Sequence, residues 1–423
     1  MIVGGTVRVP GDKSLTHRAL LLGALTPGTS HIGGALTSLD ARSSARVVRQ
    51  LGAEVSPLRP ETMVTLRGRR RFHRPDSRLD CGNSGTTTRL ALGLLAAHGF
   101  SATLTGDASL RRRPMRRVTE PLGRMGARFT ELDGRDGLPL AIRGGRLAPL
   151  RYELPVSSAQ IKSALLLAGL AGGVEVAIRE PHGRSRDHTE RLLRAFGFRV
   201  DERDGWIEFA PTGRLEPFSM QVPGDPSSAA FLVGAAALAE AGELRIAGVG
   251  LNPTRVGFLA VLRRMGGRAA VQNVETRYGE PVGDLVVGPA DLQGTEVAES
   301  EIPGLIDEIP MLAVLASRAS GTSVFRQVGE LRVKESDRLS LIAANLRAVG
   351  ARAEVVGDDL LVEGGDTVPR GRVRTAGDHR LAMAFAVLGT LPGARVSVDD
   401  MACAAVSFPG FSATLRSIRG RRP

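Results

Sequence analysis

The sequence predicts an α/β protein made of two similar domains, each containing three repeats of about 70 residues. Three observations predict it. Helices rich in Ala and Leu begin near Arg18, Arg89, Lys162, Ala229, Met311 and Arg380, at intervals of 71, 73, 67, 82 and 69 residues. A second, amphipathic series closes on Gly52, Gly126, Gly197, Gly266, Gly350 and Gly420, at intervals of 74, 71, 69, 84 and 70. Short β-branched runs such as Phe198-Arg199-Val200 and Glu354-Val355-Val356 follow those glycines. A glycine just past a helix accepts the left-handed C′ conformation, so each repeat reads as two helices with several strands.

Such a unit is longer than solenoid repeats of roughly 20–50 residues, which favours compact domains over an open stack. Both series lengthen at the fourth interval, so an insertion is expected between roughly residues 267 and 310. The break between domains is expected near Val222-Pro223-Gly224. This gives one domain over residues 12–222 and a second over 1–11 with 223–423, because the first strand, Met1 to Val9, is expected to return and close the second half.

Composition narrows the function classes. A 42% hydrophobic content and mean hydropathy near zero describe a soluble globular chain, and no apolar run is long enough to span a bilayer. The start reads as a strand rather than a signal peptide, so a cytoplasmic location is expected. Cys81 and Cys403 cannot build a disulfide framework or a multi-cysteine zinc site. The net charge of +12 suits nucleic acid, a membrane surface or small anions. With aromatics at 4% and one Trp, a base-stacking surface is disfavoured, and small anions remain. Of 56 basic residues only Lys13, Lys162 and Lys334 are lysine. Where arginine is used almost everywhere, the lysines mark places for a compact, titratable ammonium.

A polar cluster precedes each Ala/Leu-rich helix. The first, Gly11-Asp12-Lys13-Ser14-Leu15-Thr16-His17-Arg18, opens an apolar helix whose unpaired N–H groups and macrodipole favour an anion. Lys13 and Ser14 add donors, and Arg18 lies one turn on from Ser14. The nucleotide P-loop is excluded, because Asp12 separates Gly11 from Lys13 and the earlier glycines are wrongly spaced. Next, Asn83-Ser84-Gly85-Thr86 offers a glycine for close approach of a ligand to backbone. The run Arg111 to Arg117 is a cationic loop suited equally to solvent and to anion capture, whereas Arg67 to Arg71 with Arg74 is assigned to solvent. Ser158-Ala159-Gln160 carries hydroxyl and amide groups for a polyhydroxylated ligand, with Lys162 behind them read as structural.

Ser185-Arg186-Asp187-His188 starts a helix. No second His or Cys stands at metal-ligand spacing from His188, which is expected to be a satisfied polar residue. Asp225-Pro226-Ser227-Ser228 reads as a plain helix cap. Asp307-Glu308 pairs carboxylates between Pro303 and Pro310, and Lys334-Glu335-Ser336-Asp337-Arg338 leads from a strand end into a helix. Gly377-Asp378-His379-Arg380 opens the last helix of the series.

Together these stretches resemble the 5-enolpyruvylshikimate-3-phosphate synthase family of enolpyruvyl transferases. The resemblance rests on G-D-K-S-x-x-x-R at 11–18, G-N-S-G-T at 82–86, R-R-P at 112–114, S-A-Q at 158–160, R-D-H-T-E at 186–190, I-D-E-x-P at 306–310, R-V-K-E-S-D-R at 332–338, G-D-H-R-x-A-M at 377–383 and S-F-P at 407–409. It implies an inside-out α/β barrel fold of βαβαββ units, with an active site in the cleft between the domains. It further implies transfer of the enolpyruvyl group of phosphoenolpyruvate to the 5-hydroxyl of shikimate 3-phosphate, releasing phosphate, with no cofactor and no metal. Shikimate 3-phosphate would be held by Lys13, Ser14, Arg18, Ser158, Ala159, Gln160, Ser185, Arg186, Asp307 and Lys334. Phosphoenolpyruvate would meet Lys13, Gly85, Arg113, Gln160, Arg338 and Arg380. Asp307 would take the hydroxyl proton, and Glu335 with Lys13 would manage the methylene proton. The resemblance also implies a monomer, inhibition by glyphosate, and neither nucleic-acid nor membrane partners. Three positions bear on activity and inhibition. Val406 stands where many relatives carry Lys, Gly85 where tolerant ones carry Ala, and Leu90 where others have Pro. An enolpyruvyl transferase using UDP-N-acetylglucosamine or a modified shikimate is the alternative. The first of these usually shows a Lys-Asn pair near the start and a Cys on the arginine-bearing loop, and this chain has neither.

Overall fold

The computed structural model describes residues 1–181 and 183–420. Two compact units emerge: Gly11–Val222 with Arg277–Glu280, called the first unit, and Met1–Pro10, Pro223–Thr276 and Pro281–Pro423, called the second.

The first unit holds helices α1 (Lys13–Leu25), α2 (Leu39–Gln50), α3 (Gly85–Ala96), α4 (Arg116–Arg124), α5 (Ala159–Gly172) and α6 (His188–Ala195). Helices α1, α3 and α5 are apolar around nearly their whole circumference, and a helix of that kind must be buried. They form the core, and α3 meets α5 most closely at Gly93, where a Cβ would lie 2.1 Å from the Ala164 carbonyl oxygen. Helices α2, α4 and α6 are amphipathic and lie outside.

Three four-stranded sheets complete the unit, each with one parallel and two antiparallel pairings. One runs Leu79–Asp80, Ser101–Thr105, Leu140–Arg143, Arg128–Glu131, and another Leu150–Glu153, Val176–Arg179, Trp206–Ala210, Arg199–Arg203. In the sheet built on Gly28–Gly33, Val64–Gly68 and Glu54–Val55, the edge strand is Ser219–Gln221, from the far end of the unit, with Met220 opposite Ile32. The third repeat thereby closes the first.

The second unit repeats the plan with α7 (Pro226–Ala237), α8 (Gly257–Arg264), α9 (Ile309–Ala316), α10 (Arg338–Ala348), α11 (His379–Leu388) and α12 (Phe411–Ser417). Helices α7, α9 and α11 are its buried core. Thr6–Val7 pairs in parallel with Leu244–Gly250, so a strand from the start of the chain closes this unit. The long fourth interval is explained by the strands Ala269–Arg277 and Glu280–Val287, nine and eight residues long, and by the 3₁₀ turn Glu299–Gly304.

Five of the six expected C′ glycines have positive φ: Gly52, Gly126, Gly197, Gly266 and Gly350. Gly420 departs from the pattern. Helix α12 stops at Ser417, Arg419 bridges to Val3, and the Gly420 N–H donates to the Ile2 carbonyl at 2.9 Å, so the chain extends here instead of turning. Among the described residues the sixth repeat accordingly has only the two-stranded sheet Arg370–Val373 and Arg395–Val398.

Candidate active site

In the first unit the functional candidates gather at helix N-termini. Lys13, Gly85 and Ala159 are the first residues of α1, α3 and α5. Asp12 caps α1 by accepting from the Leu15 N–H at 2.8 Å, and Ser84 caps α3 by accepting from Thr87 at 3.1 Å. The three ends are cross-linked. His17 Nδ1 meets Ser44 Oγ at 2.7 Å, Ser44 meets Thr87 Oγ1 at 2.8 Å, and Gln160 Nε2 donates to Thr86 Oγ1 at 2.9 Å. Three positive dipole ends held together this way make a site for anions.

The side chains reinforce that charge. Lys13 Nζ lies 3.1 Å from Asp40 Oδ2 on α2, which fixes its direction. Arg18 is buried and donates to Thr189 Oγ1 at 2.8 Å, Ser163 Oγ at 2.6 Å and the Ser14 carbonyl at 3.0 Å. These partners are neutral, and no carboxylate among the described residues pairs with it directly. Burial therefore pulls its pKa down to about 10, against the pull of Glu190 and Asp12 and with added repulsion from Arg186. A phosphate or carboxylate here would relieve an under-compensated guanidinium.

Arg113 donates to Asn83 Oδ1 at 2.7 Å, Asn83 in turn donates to Asp107 at 2.6 Å, and the buried Arg113 Nε has no partner among the described residues. Gly85 sits against both guanidiniums of this corner. A Cβ would lie 3.1 Å from Arg89 Nη1 and 3.3 Å from Arg113 Nη1.

Lys162 and Ser185 lie deeper. Lys162 Nζ is buried with Glu180 at 2.9 Å and Glu190 at 2.8 Å, and the Ser185 hydroxyl donates to Glu180. Lys162 is therefore structural, as its place behind the cluster suggested. His188 is satisfied in the same sense, with Nδ1 2.7 Å from Glu280 Oε1 and both groups buried.

In the second unit the candidates form one ion network. Arg338 is fully buried at the start of α10, with Nε 2.8 Å from Asp378, Nη2 2.5 Å from Glu335 and Nη1 3.5 Å from Asp307. Burial alone would lower its pKa, but the charges of Asp378, Glu335 and Asp307 outweigh that and raise it. Arg380 approaches Asp307 from the other side, with Nη2 3.5 Å from Oδ2 and Nη1 3.0 Å from the backbone carbonyl. Glu308 supports Arg380 at 3.8 Å and accepts from Ser227, which also accepts from Arg255 at 2.9 Å. Asp225 caps α7 through the Ser227 N–H at 2.8 Å, as expected. Lys334 is half-buried just after the 3₁₀ turn Gly329–Val333, and Val406 ends the turn Ala402–Val406. Among the described residues no cluster of His, Cys, Asp or Glu could hold a metal.

This arrangement can hold multivalent anions and present a carboxylate, Asp307, with its proton-accepting oxygens oriented by two guanidiniums. The chain matches a family model described as EPSP synthase (3-phosphoshikimate 1-carboxyvinyltransferase) over residues 2–415. The chain belongs to that family. Relatives named 3-phosphoshikimate 1-carboxyvinyltransferase include those of Desulforamulus reducens, 43% identical over 98% of this chain and 96% of the relative, and Thermosynechococcus vestitus, 47% identical over 98% and 95%. A solved EPSP synthase from Acinetobacter baumannii superposes with a TM-score of 0.87 at 37% identity, over 99% of this chain and 96% of that one. The enolpyruvyl transferase NikO from Streptomyces tendae has a TM-score of 0.79 at 18% identity, over 99% and 95%, and shares the fold. The α/β enolpyruvyl transferase fold is thus established for this EPSP synthase family member.

Sequence reasoning missed four partners. Asp40 orients Lys13, Arg89 donates to the Gln160 side-chain oxygen and to the Pro114 carbonyl at 3.1 Å, Asn83 holds Arg113, and Asp378 holds Arg338. Asn83 and Asp378 lay inside quoted motifs and were legible only as caps. Asp40 in a first helical turn and Arg89 in mid-helix carry no local signal.

Proposed function

We infer that this chain transfers the enolpyruvyl group of phosphoenolpyruvate to the 5-hydroxyl of shikimate 3-phosphate, releasing phosphate, a step of aromatic amino-acid biosynthesis. The observation that carries the reading is Asp307, a carboxylate 3.5 Å from each of two guanidiniums, Arg338 and Arg380, in a chain of this family. In this reading both units serve one reaction. Lys13, Ser14, Arg18, Ser158, Ala159, Gln160, Ser185 and Arg186, with Asp307 and Lys334, hold shikimate 3-phosphate. Lys13, Gly85, Arg113, Gln160, Arg338 and Arg380 hold phosphoenolpyruvate.

Addition needs a base for the hydroxyl and an acid for the methylene carbon. Asp307 accepts the hydroxyl proton and Glu335, with Lys13, delivers the methylene proton. The two carboxylates also stabilise the cationic carbon between these events. Elimination breaks the C–O bond to phosphate and returns the protons in the opposite sense. The arginines bind the phosphates and carboxylates in two-pronged fashion. The chain acts as a monomer in the cytoplasm, and glyphosate is its inhibitor.

The test follows phosphate release from the purified protein. Release that requires both substrates and falls by about a hundredfold or more in Asp307→Ala and Glu335→Ala supports the reading. A folded protein that releases none overturns it.

A further inference from the structure

The first unit has a cavity of about 1080 Å³ at the ends of its core helices opposite the anion site. Leu25 ends α1, Ala97 caps α3 and Gly172 ends α5, and all three line it. Four arginines, Arg70, Arg71, Arg146 and Arg214, stand around it, contributed by all three repeats. The expectation for Arg67 to Arg71 was a solvated run, and Arg70 and Arg71 are indeed exposed. Yet none of the four has a hydrogen bond or ion pair among the described residues, and Glu216 is the one acid in the lining.

Hydrogen bonding to the helix ends does not account for these charges. At each helix end one carbonyl is already taken by a backbone donor, Arg69 N–H on Ala24, Gly145 on Ala96 and Val174 on Gly169 at 2.9 to 3.0 Å, and none of the four arginines donates to a helix-end carbonyl among the described residues. Nor does the shared architecture require the cavity. In the second unit, the concavities by the ends of α7, α9 and α11 measure about 300 and 40 Å³.

The wall carries one half-buried aromatic ring, Phe100, and one directed acceptor. His98 is 93% buried (7% exposed), stacked on Phe72 at 4.8 Å and tilted against Phe100 at 5.7 Å. Its Nδ1 lies 2.8 Å from the Leu94 carbonyl, which can only accept, so Nδ1 carries the hydrogen and Nε2 is the acceptor. Burial, with the Arg71 charge, lowers its pKa and keeps the ring neutral. Nε2 has no partner among the described residues.

From this geometry we propose that the cavity binds a hydroxylated, planar organic dianion. Its acidic groups meet arginines of different repeats, its ring packs against the half-buried Phe100, and its hydroxyl donates in the imidazole plane to His98 Nε2.

The probe is 5-hydroxyisophthalate, a benzene ring with two carboxylates and one hydroxyl, titrated calorimetrically into the full chain at low salt. One-to-one binding is expected, weakened about tenfold or more in the Arg146→Ala/Arg214→Ala double variant, whose exposed positions leave the fold intact. Lys13→Ala, at the other end of α1, should bind it unchanged. Isophthalate, which lacks the hydroxyl, should bind several-fold more weakly. Absence of binding overturns the proposal, as does binding indifferent to the arginine pair or abolished by Lys13→Ala. Equal affinity for isophthalate overturns the role given to His98.

Discussion

At the residue scale, Gly85 and His17 show how much depends on a few ångströms. A methyl group on Gly85 would press on Arg89 and Arg113 at 3.1 and 3.3 Å. Gly85→Ala should therefore raise the KM for phosphoenolpyruvate, about tenfold, while leaving the urea midpoint nearly unchanged. Steady-state kinetics and a denaturation curve on one preparation check both halves. His17 is buried, and burial, with Lys13 and Arg18 nearby, lowers its pKa from 6.5 to about 3. Between those values the unfolded chain binds a proton that the native chain refuses, so stability falls as pH falls from 6.5 towards 3. From pH 6.5 to 5 this amounts to about 2 kcal/mol, a component that His17→Gln should lack in urea titrations at the two pH values. Residue identity was the most legible layer: Lys13, Arg18, Asp307, Glu335, Arg338 and Arg380 stand out by charge beside helix starts. Their holders were not. Asp40 and Arg89 look like any first-turn acid and any mid-helix base until tertiary packing puts them beside Lys13 and Gln160.

At the scale of the element, the apolar helices and the closing glycines were plain in the sequence because burial on all sides and left-handed caps leave periodic marks. Short strands left fewer. Thr6–Val7 lies within the strand expected over Met1 to Val9, whereas Ser219–Gln221 is three residues long and takes its partner, Gly28–Gly33, from the other end of its unit, so no local pattern announces it. Gly93 marks the tightest helix contact of the first unit. Its Cβ would strike a backbone oxygen at 2.1 Å, which no rotamer change can relieve. Gly93→Ala should cost about 3 kcal/mol or more, read as a lowered urea midpoint with an unchanged slope, whereas Gly99→Ala, with open space around it, should cost little.

At the scale of the molecule, each unit has its own apolar core, and the two cores are separate clusters. A fragment of residues 11–222 should therefore fold cooperatively on its own. Cutting it back to residue 217 removes Ser219–Gln221 and should lower stability by a few kcal/mol, both measurable by circular dichroism in urea. A non-cooperative transition in the longer fragment would show that the units depend on one another. The strand Thr6–Val7 has a consequence for how the chain is made. Its partners, Arg245 and Ile246, leave the ribosome long after it does, on the order of ten seconds or more at ordinary elongation rates. All of residues 11–222 is synthesised in that interval, so residues 1–10 must stay unpaired until their partners are made. Since the Gly420 N–H already touches the Ile2 carbonyl, a gene rearranged to begin at Gly11 and carry residues 1–10 after Pro423 would abolish the wait and keep the Thr6–Val7 pairing, losing the ion pair of the Met1 ammonium with Glu240.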